Sequence, residues 1–188
     1  MPRTDDLYEL PNDLPVPVDD GACNHLASTR LPSIPLMSTS GHTVDLSTLI
    51  GRTVVYCYPR TGRPDIAPPK GWNKIPGARG CTPQSCAFRD NFKEFQKVNA
   101  RVFGLSTQDT EYQKEAVQRL QLPFQLLSDS ELAFAKALKL PTFEVESMKL
   151  IKRLTMVISN GHFEKVFYPV FPPDKNGEEV LNWLKQEG

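Results

Sequence analysis

Two cysteines, Cys81 and Cys86, stand five residues apart in the stretch GARGCTPQSCAFRD, residues 77–90. Thiols so placed suit a metal site, a structural pair or a redox couple. Zinc sites prefer two to four residues between cysteines and need two further ligands. The C-x4-C spacing meets that only at its edge, and the three histidines, His25, His42 and His162, are scattered along the chain. A thioredoxin-like exchanger would carry Cys-x-x-Cys, which this sequence lacks.

A helix beginning near Cys81 would set its sulfur among free backbone N–H groups, where the helix dipole favours an anion. Arg79 and Arg89 are near in sequence and add positive charge. The thiolate is the nucleophilic form of cysteine, so such a setting suits reactivity. Thr82 and Pro83 fit the first turn, where proline's missing donor costs nothing. Five residues along a helix give about 7.5 Å of rise and about 140° of rotation. A disulfide needs its Cα atoms within roughly 7 Å with converging side chains. The pair cannot bond while the turn stays helical, which makes it a poor staple and a reasonable switch. Redox chemistry by a reactive thiolate is the favoured reading. Of the other thiols, Cys57 lies inside the apolar run TVVYCYP and reads as a small buried hydrophobe. Cys23 sits in an acidic, proline-rich lead-in; it either pairs with Cys81 between subunits or is inert, and inert is favoured.

These residues need a scaffold. The chain has 188 residues, enough for one domain with its own core, and 22 basic side chains balance 22 acidic ones. With no long basic run, neither nucleic acid nor an anionic membrane is an expected partner. The N-terminus lacks the apolar segment of a signal peptide, no run approaches membrane-spanning length, and the expected compartment is the cytoplasm.

Residues 1–30, rich in Pro and Asp, read as an extended arm, with the folded domain over 31–188. LPSIPLMSTSGHTVDL predicts a hairpin turning at Gly41, and TVVYCYP (53–59) a central buried strand. Residues 60–80 form a proline- and glycine-rich loop. Phe88, Phe92 and Phe95 then recur at helical spacing from a start near Cys81. RVFGLST (101–107) predicts a strand, and Thr110 a helix with Gln113 placed for a capping box. FQLLS predicts a strand, and Ser128 to Glu131 a cap for the helix LAFAKAL. LIKRLTMVIS (150–159) and HFEKVFYP (162–169) predict two strands joined at Asn160-Gly161. A last helix places Val180, Leu181, Trp183 and Leu184 on one face. The sum is an α/β fold, a mixed central sheet with helices on both faces.

The run GCTPQSCAFRDNF, following a strand that ends in Tyr-Pro, resembles the bacterioferritin-comigratory (PrxQ) branch of the peroxiredoxins. LSTLIG, TVVYCYP, VFGLST, LPFQLLSD, RLTMVISNG and VLNWLK agree in order, over about residues 30 to 187. The resemblance implies a thioredoxin-like fold with an N-terminal hairpin extension and a hydroperoxide substrate, with no metal or organic cofactor. It makes Cys81 the peroxidatic cysteine, oxidised to a sulfenic acid, and Cys86 the resolving cysteine. Thioredoxin or a glutaredoxin-like reductant would recycle the disulfide, and the protein would be a monomer or dimer. Arg153 matches the family arginine that steadies the thiolate and the peroxide.

One departure stands out. The family pattern is Pro, three residues, Thr, two residues, then the cysteine, yet Lys74 and Ala78 occupy those positions here. Either Pro59 and Thr61 keep the two roles, with an insertion leaving after Thr61 and returning at Gly77–Gly80, or Thr61 is an ordinary loop residue and activity is weak. Trp72 and Ile75 would form a lid, a substrate pocket or a subunit contact, or else be solvent-exposed decoration. Tyr168 and Phe171 either line the same pocket or pack in the core. Other readings are a thiol–disulfide oxidoreductase of thioredoxin fold and a redox sensor that does not turn over.

Overall fold

Every strongly apolar run of the chain becomes a strand of a mixed sheet or the inner face of a helix. The structure, a computed structural model, describes residues 1–187. In chain order its elements are β1 (Pro35–Ser38), β2 (Thr43–Asp45), β3 (Arg52–Cys57), α1 (Cys81–Asp90), α2 (Phe92–Lys97), β4 (Ala100–Ser106) and α3 (Thr110–Leu120). There follow β5 (Leu126–Ser128), α4 (Ala133–Ala137), β6 (Thr142–Val145), β7 (Met148–Ile151), β8 (Leu154–Ser159), β9 (His162–Phe167) and α5 (Asn176–Glu187). Seven strands form the main sheet in the order β2-β1-β5-β4-β3-β8-β9, and β6 pairs with β7 apart from it. β3, β4 and β5 run parallel, while β8 and β9 are antiparallel. This is the expected α/β, thioredoxin-like sheet. The N-terminal hairpin extends its edge through pairing of β1 with β5. Among the described residues no helix is long and apolar enough to cross a membrane.

β3 is central because its residues are apolar on both faces, and side chains alternate along a strand. Val54 and Tyr56 join the core under α1, α2, α3 and α5, which contribute Phe88, Phe95, Leu120 and Leu184. Val55 and Cys57 face the other way, onto Leu26 and the α4 residues Phe134 and Ala135. Cys57 is thus the buried hydrophobe expected of it.

Four local expectations are corrected. The helix expected to run from Cys81 past Phe95 breaks at Asn91. There the side-chain amide donates to the Ala87 carbonyl at 2.9 Å, competing with the backbone ladder. The run 150–159 is two strands rather than one. TFEV, not read as a strand, pairs with Met148–Ile151, and Lys152 N–H donates to the Pro141 carbonyl at 2.9 Å, closing that hairpin. Lys152 and Arg153 therefore fall outside both β7 and β8. α3 is capped by the Asp109 side chain, which accepts from Tyr112 N–H, and Gln113 is buried. Gln113 cross-links the Ser106 hydroxyl with the carbonyls of Gln108 and Leu127. α4 is capped from Asp129, whose carboxylate accepts from Phe134 and Ala135 N–H at 3.0 and 2.8 Å.

The first thirty residues hold one short 3-10 turn, Asn24–Ser28, and are bound to the body at Leu7, Cys23 and Leu26. Within the 60–80 segment a second such turn, Trp72–Lys74, packs on the β6–β7 hairpin, with Trp72 and Phe143 ring centroids 6.2 Å apart.

Candidate active site

α1 begins at Cys81 because Gly80, at φ 110°, turns the chain into it. A side chain at Gly80 would strike Pro173 Cγ at 2.3 Å and Leu10 Cδ2 at 2.9 Å, so this position needs glycine for both backbone and space. Cys81 is the first helical residue and only 3% exposed.

The arginine arrives from β8. Cys57 pairs with Leu154 across the antiparallel β3–β8 ladder, so the residue before β8 lies beside the end of β3, where the chain leaves for the site. That residue is Arg153, 3% exposed. Its Nη2 donates to Cys81 Sγ at 3.3 Å and to the carbonyls of Ala78 and Arg79 at 3.0 and 3.2 Å. Its Nη1 donates to Gln84 Oε1 at 2.6 Å. A buried guanidinium and a helix N-terminus thus converge on one sulfur, and both favour negative charge there.

The first turn of α1 is tied on three sides. Gln84 Nε2 donates to Asn176 Oδ1 at 3.0 Å, and Asn176 also accepts from the Thr155 hydroxyl at 2.7 Å. The hydroxyls of Ser85 and Tyr56 lie 3.0 Å apart. Cys86 is half-buried against the core at the far side of this helix, and both cysteines are free thiols. Burial raises the Cys86 pKa, with Arg89 opposing and Asp90 reinforcing the shift.

Cys81 opens into a narrow cavity of about 20 Å³ lined by Thr61, Thr82, Tyr112, Leu7 and Trp72 among others. Thr61 is fully buried. Its N–H and hydroxyl donate to Gln108 Oε1 at 3.0 and 3.3 Å, and its carbonyl accepts from Tyr112 OH at 2.8 Å. The structure thus brings Thr61 to the same cavity as Cys81. Pro59 is buried at the end of β3 and does not line the cavity. Ala78, at the motif threonine's position, offers only its carbonyl, 3.7 Å from Cys81 Sγ.

Trp72 lines this cavity, whereas Ile75 lines another, of about 430 Å³, shared with Phe143, Arg153, Tyr168 and Val170. Tyr168 belongs there and not at Cys81, and Phe171 lines neither. Burial, reinforced by Asp20 and Asp19, pushes the Cys23 thiol up to about 12. Burial pushes Cys57 up as well.

Sequence reasoning missed Gln84, Leu7 and Thr82 as members of the site. Gln84 lies inside the quoted motif, three residues past Cys81, where the helix period returns it to the same face. The Thr82 hydroxyl, buried with no hydrogen-bond partner, is the other near neighbour. For Leu7 no local signal exists.

A thioredoxin-like sheet presenting one nearly enclosed cysteine at a helix start, under a buried arginine, defines a thiol-redox class of protein. The comparisons narrow the class. The Redoxin family model matches residues 26–181. A chloroplastic peroxiredoxin Q of Suaeda salsa is 33% identical over 156 residues, 82% of this chain and 65% of the relative. That of Sedum lineare is also 33% identical over 156 residues, with 75% of the relative covered. The peroxidoxin BcpB of Mycobacterium tuberculosis shares the fold at a TM-score of 0.68 and 25% identity, over 84% of this chain and 95% of that one. The chain belongs to the redoxin family, in its peroxiredoxin Q-like branch. It spans 64–65% of the length of the first curated relatives it matches.

Proposed function

We propose that the protein is a thiol peroxidase acting on hydroperoxides. The Cys81 thiolate attacks the terminal peroxide oxygen; the S–O bond forms as the O–O bond breaks. The leaving alkoxide or hydroxide takes up a proton, and Cys81 is left as a sulfenic acid. The Cys86 thiol then displaces water from that sulfenic acid, forming a Cys81–Cys86 disulfide. A dithiol reductant of the thioredoxin or glutaredoxin type returns both thiols and is itself oxidised. Arg153 holds the thiolate and the developing charge on the peroxide oxygens. Thr61 donates its hydroxyl proton to Gln108 and so keeps its lone pairs for the proton of the peroxide; Pro59 shapes the entry to that loop.

The observation that carries this reading is Arg153 Nη2 at 3.3 Å from the Cys81 sulfur, at the start of α1. A cysteine only 3% exposed favours a small oxidant over a protein disulfide, which argues for peroxidase over disulfide exchange. The test is the rate at which hydrogen peroxide consumes the Cys81 thiol, followed by peptide mapping after one equivalent. A rate far above that of free cysteine, ending in a Cys81–Cys86 disulfide, is expected. A rate equal to free cysteine refutes the peroxidase, and a bond to Cys23 refutes the role of Cys86.

A further inference from the structure

The cavity at Cys81 owes one wall to residues far away in sequence. Leu7, on the N-terminal arm, is 8% exposed and lines it. The arm lies tight on the loop: a side chain at Gly62, next to Thr61, would meet Leu7 Cδ2 at 2.4 Å and Arg3 Nη1 at 2.6 Å. It is also fastened to both stems of the 60–80 segment. On the outgoing stem Arg3 N–H donates to the Pro64 carbonyl at 3.1 Å, and Ala67 N–H to the Met1 carbonyl at 3.0 Å. On the returning stem the Arg79 guanidinium, 6% exposed, bonds the Asp5 carboxylate, the Asp6 carbonyl and the Glu9 carbonyl. Residues 1–10 therefore bridge the two stems beside Cys81.

We infer that Leu7, and the arm that holds it, confine Cys81 to small hydroperoxides, hydrogen peroxide foremost. The inference rests on the thiol-peroxidase reading. Free space of about 20 Å³ is about one water-sized group. Hydrogen peroxide, with two heavy atoms, needs little more. In the displacement, sulfur, attacked oxygen and leaving oxygen lie in line, so a substituent on the leaving oxygen points away from the sulfur and into the cavity wall. Leu7, Trp72 and Ile66, with Pro68 and Pro69, are the apolar parts of that wall. Trp72 also belongs to a small core with Ala78, Val145 and Leu150. Leu7 hangs on an arm with no strand ladder there, which makes it the adjustable element.

Full-length Leu7→Ala, and Asp5→Asn to loosen the arm from Arg79, test this. Oxidation of Cys81 is followed by rapid quench and mass spectrometry with hydrogen peroxide and with cumene hydroperoxide, each rate divided by that of free cysteine. Wild type should favour hydrogen peroxide. Leu7→Ala should raise the cumene-to-hydrogen-peroxide ratio about tenfold or more, tenfold being the lower end of what one methylene gives in an apolar pocket. Asp5→Asn should move the ratio the same way. A wild-type ratio equal to that of free cysteine overturns the inference. So does an unchanged ratio in both folded variants, including the case where both rates fall together and Leu7 is only a brace. A wild type no faster than free cysteine with hydrogen peroxide instead sinks the peroxidase reading, so the two failures are distinct.

Discussion

Replacing Gln84 by alanine removes the side chain that ties the first turn of α1 to its surroundings. Gln84 is fully buried, accepts from Arg153 Nη1 at 2.6 Å and donates to Asn176 Oδ1 at 3.0 Å. A neutral buried hydrogen bond contributes about 1 kcal/mol net, and one to a charged group about 1.5–3 kcal/mol. Losing both destabilises the folded turn by about 2.5–4 kcal/mol. Asn176 keeps the Thr155 hydroxyl, and Arg153 keeps its three Nη2 bonds, so the site itself persists. The unwound turn makes neither bond, so the equilibrium moves towards it by roughly two to three powers of ten. If unwinding precedes closure of the Cys81–Cys86 disulfide, the sulfenate is resolved faster, at least tenfold by the lower bound of that shift. In single turnover with one equivalent of hydrogen peroxide, acid quench and mass spectrometry resolve thiol, sulfenate and disulfide over time. Wild type should pass through accumulated sulfenate, and the variant should go to disulfide with little of it. Excess peroxide should also leave less sulfinic acid in the variant. An unchanged sulfenate lifetime, alongside a measured loss of stability in urea, would refute the idea that this turn is the gate.

Three further outcomes are expected. Arg153→Lys keeps a cation but loses the fork that serves the sulfur, two carbonyls and Gln84, so peroxide oxidation of Cys81 should slow by about a hundredfold; a wild-type rate would show that charge alone suffices. Thr61→Val should slow the same step about tenfold or more, with Thr61→Ser near wild type; equal rates for Val and Thr would remove Thr61 from the site. Cys23, with its thiol pushed up to about 12, should be about one part in ten thousand thiolate at pH 8 and resist alkylation until the chain unfolds. Because the unfolded thiol ionises near 8.5 and the folded one does not, this group's contribution to stability is level below that pH and falls between about 8.5 and 12.

What the sequence revealed divides along physical lines. The start of α1 at Cys81 and the central β3 follow from local pattern, because helix periodicity and a β-branched run are properties of neighbouring residues. The split of 150–159 into β7 and β8 depends on TFEV forming a partner, and TFEV is polar enough to read as loop. Arg153 nonetheless reaches the Cys81 sulfur, because it precedes a strand antiparallel to β3. Caps went wrong at Ser128 and Gln113 for one reason. Asp109 and Asp129, each next in sequence to the expected cap, accept instead from Tyr112 N–H and from Phe134 and Ala135 N–H, and the sequence alone does not rank neighbouring acceptors. Of the two places open to Tyr168, the core holds: it packs against the cluster around Val55 and Cys57 and lines the larger cavity, away from Cys81.

That insertion should have been the greatest threat to the site, since it divides the strand that delivers Thr61 from the helix that carries Cys81. Loop-closure entropy grows only logarithmically, so a fourfold longer connection costs about 1.2 kcal/mol. The real hazard is misplacement of its two ends. Each end is pinned by groups outside the loop. Thr61 and Gly62 are held by Gln108, Tyr112 and Arg119, all on or just before α3. Ala78 and Arg79 are held by Arg153 and by Asp5 of the arm. These bonds fix the separation of the stems whatever the excursion between them does, so the loop is free to carry Trp72 to the cavity wall. On the proposed reading Thr61 stands in for the threonine absent at Ala78, because the outgoing stem that carries it is pinned as firmly as the returning one.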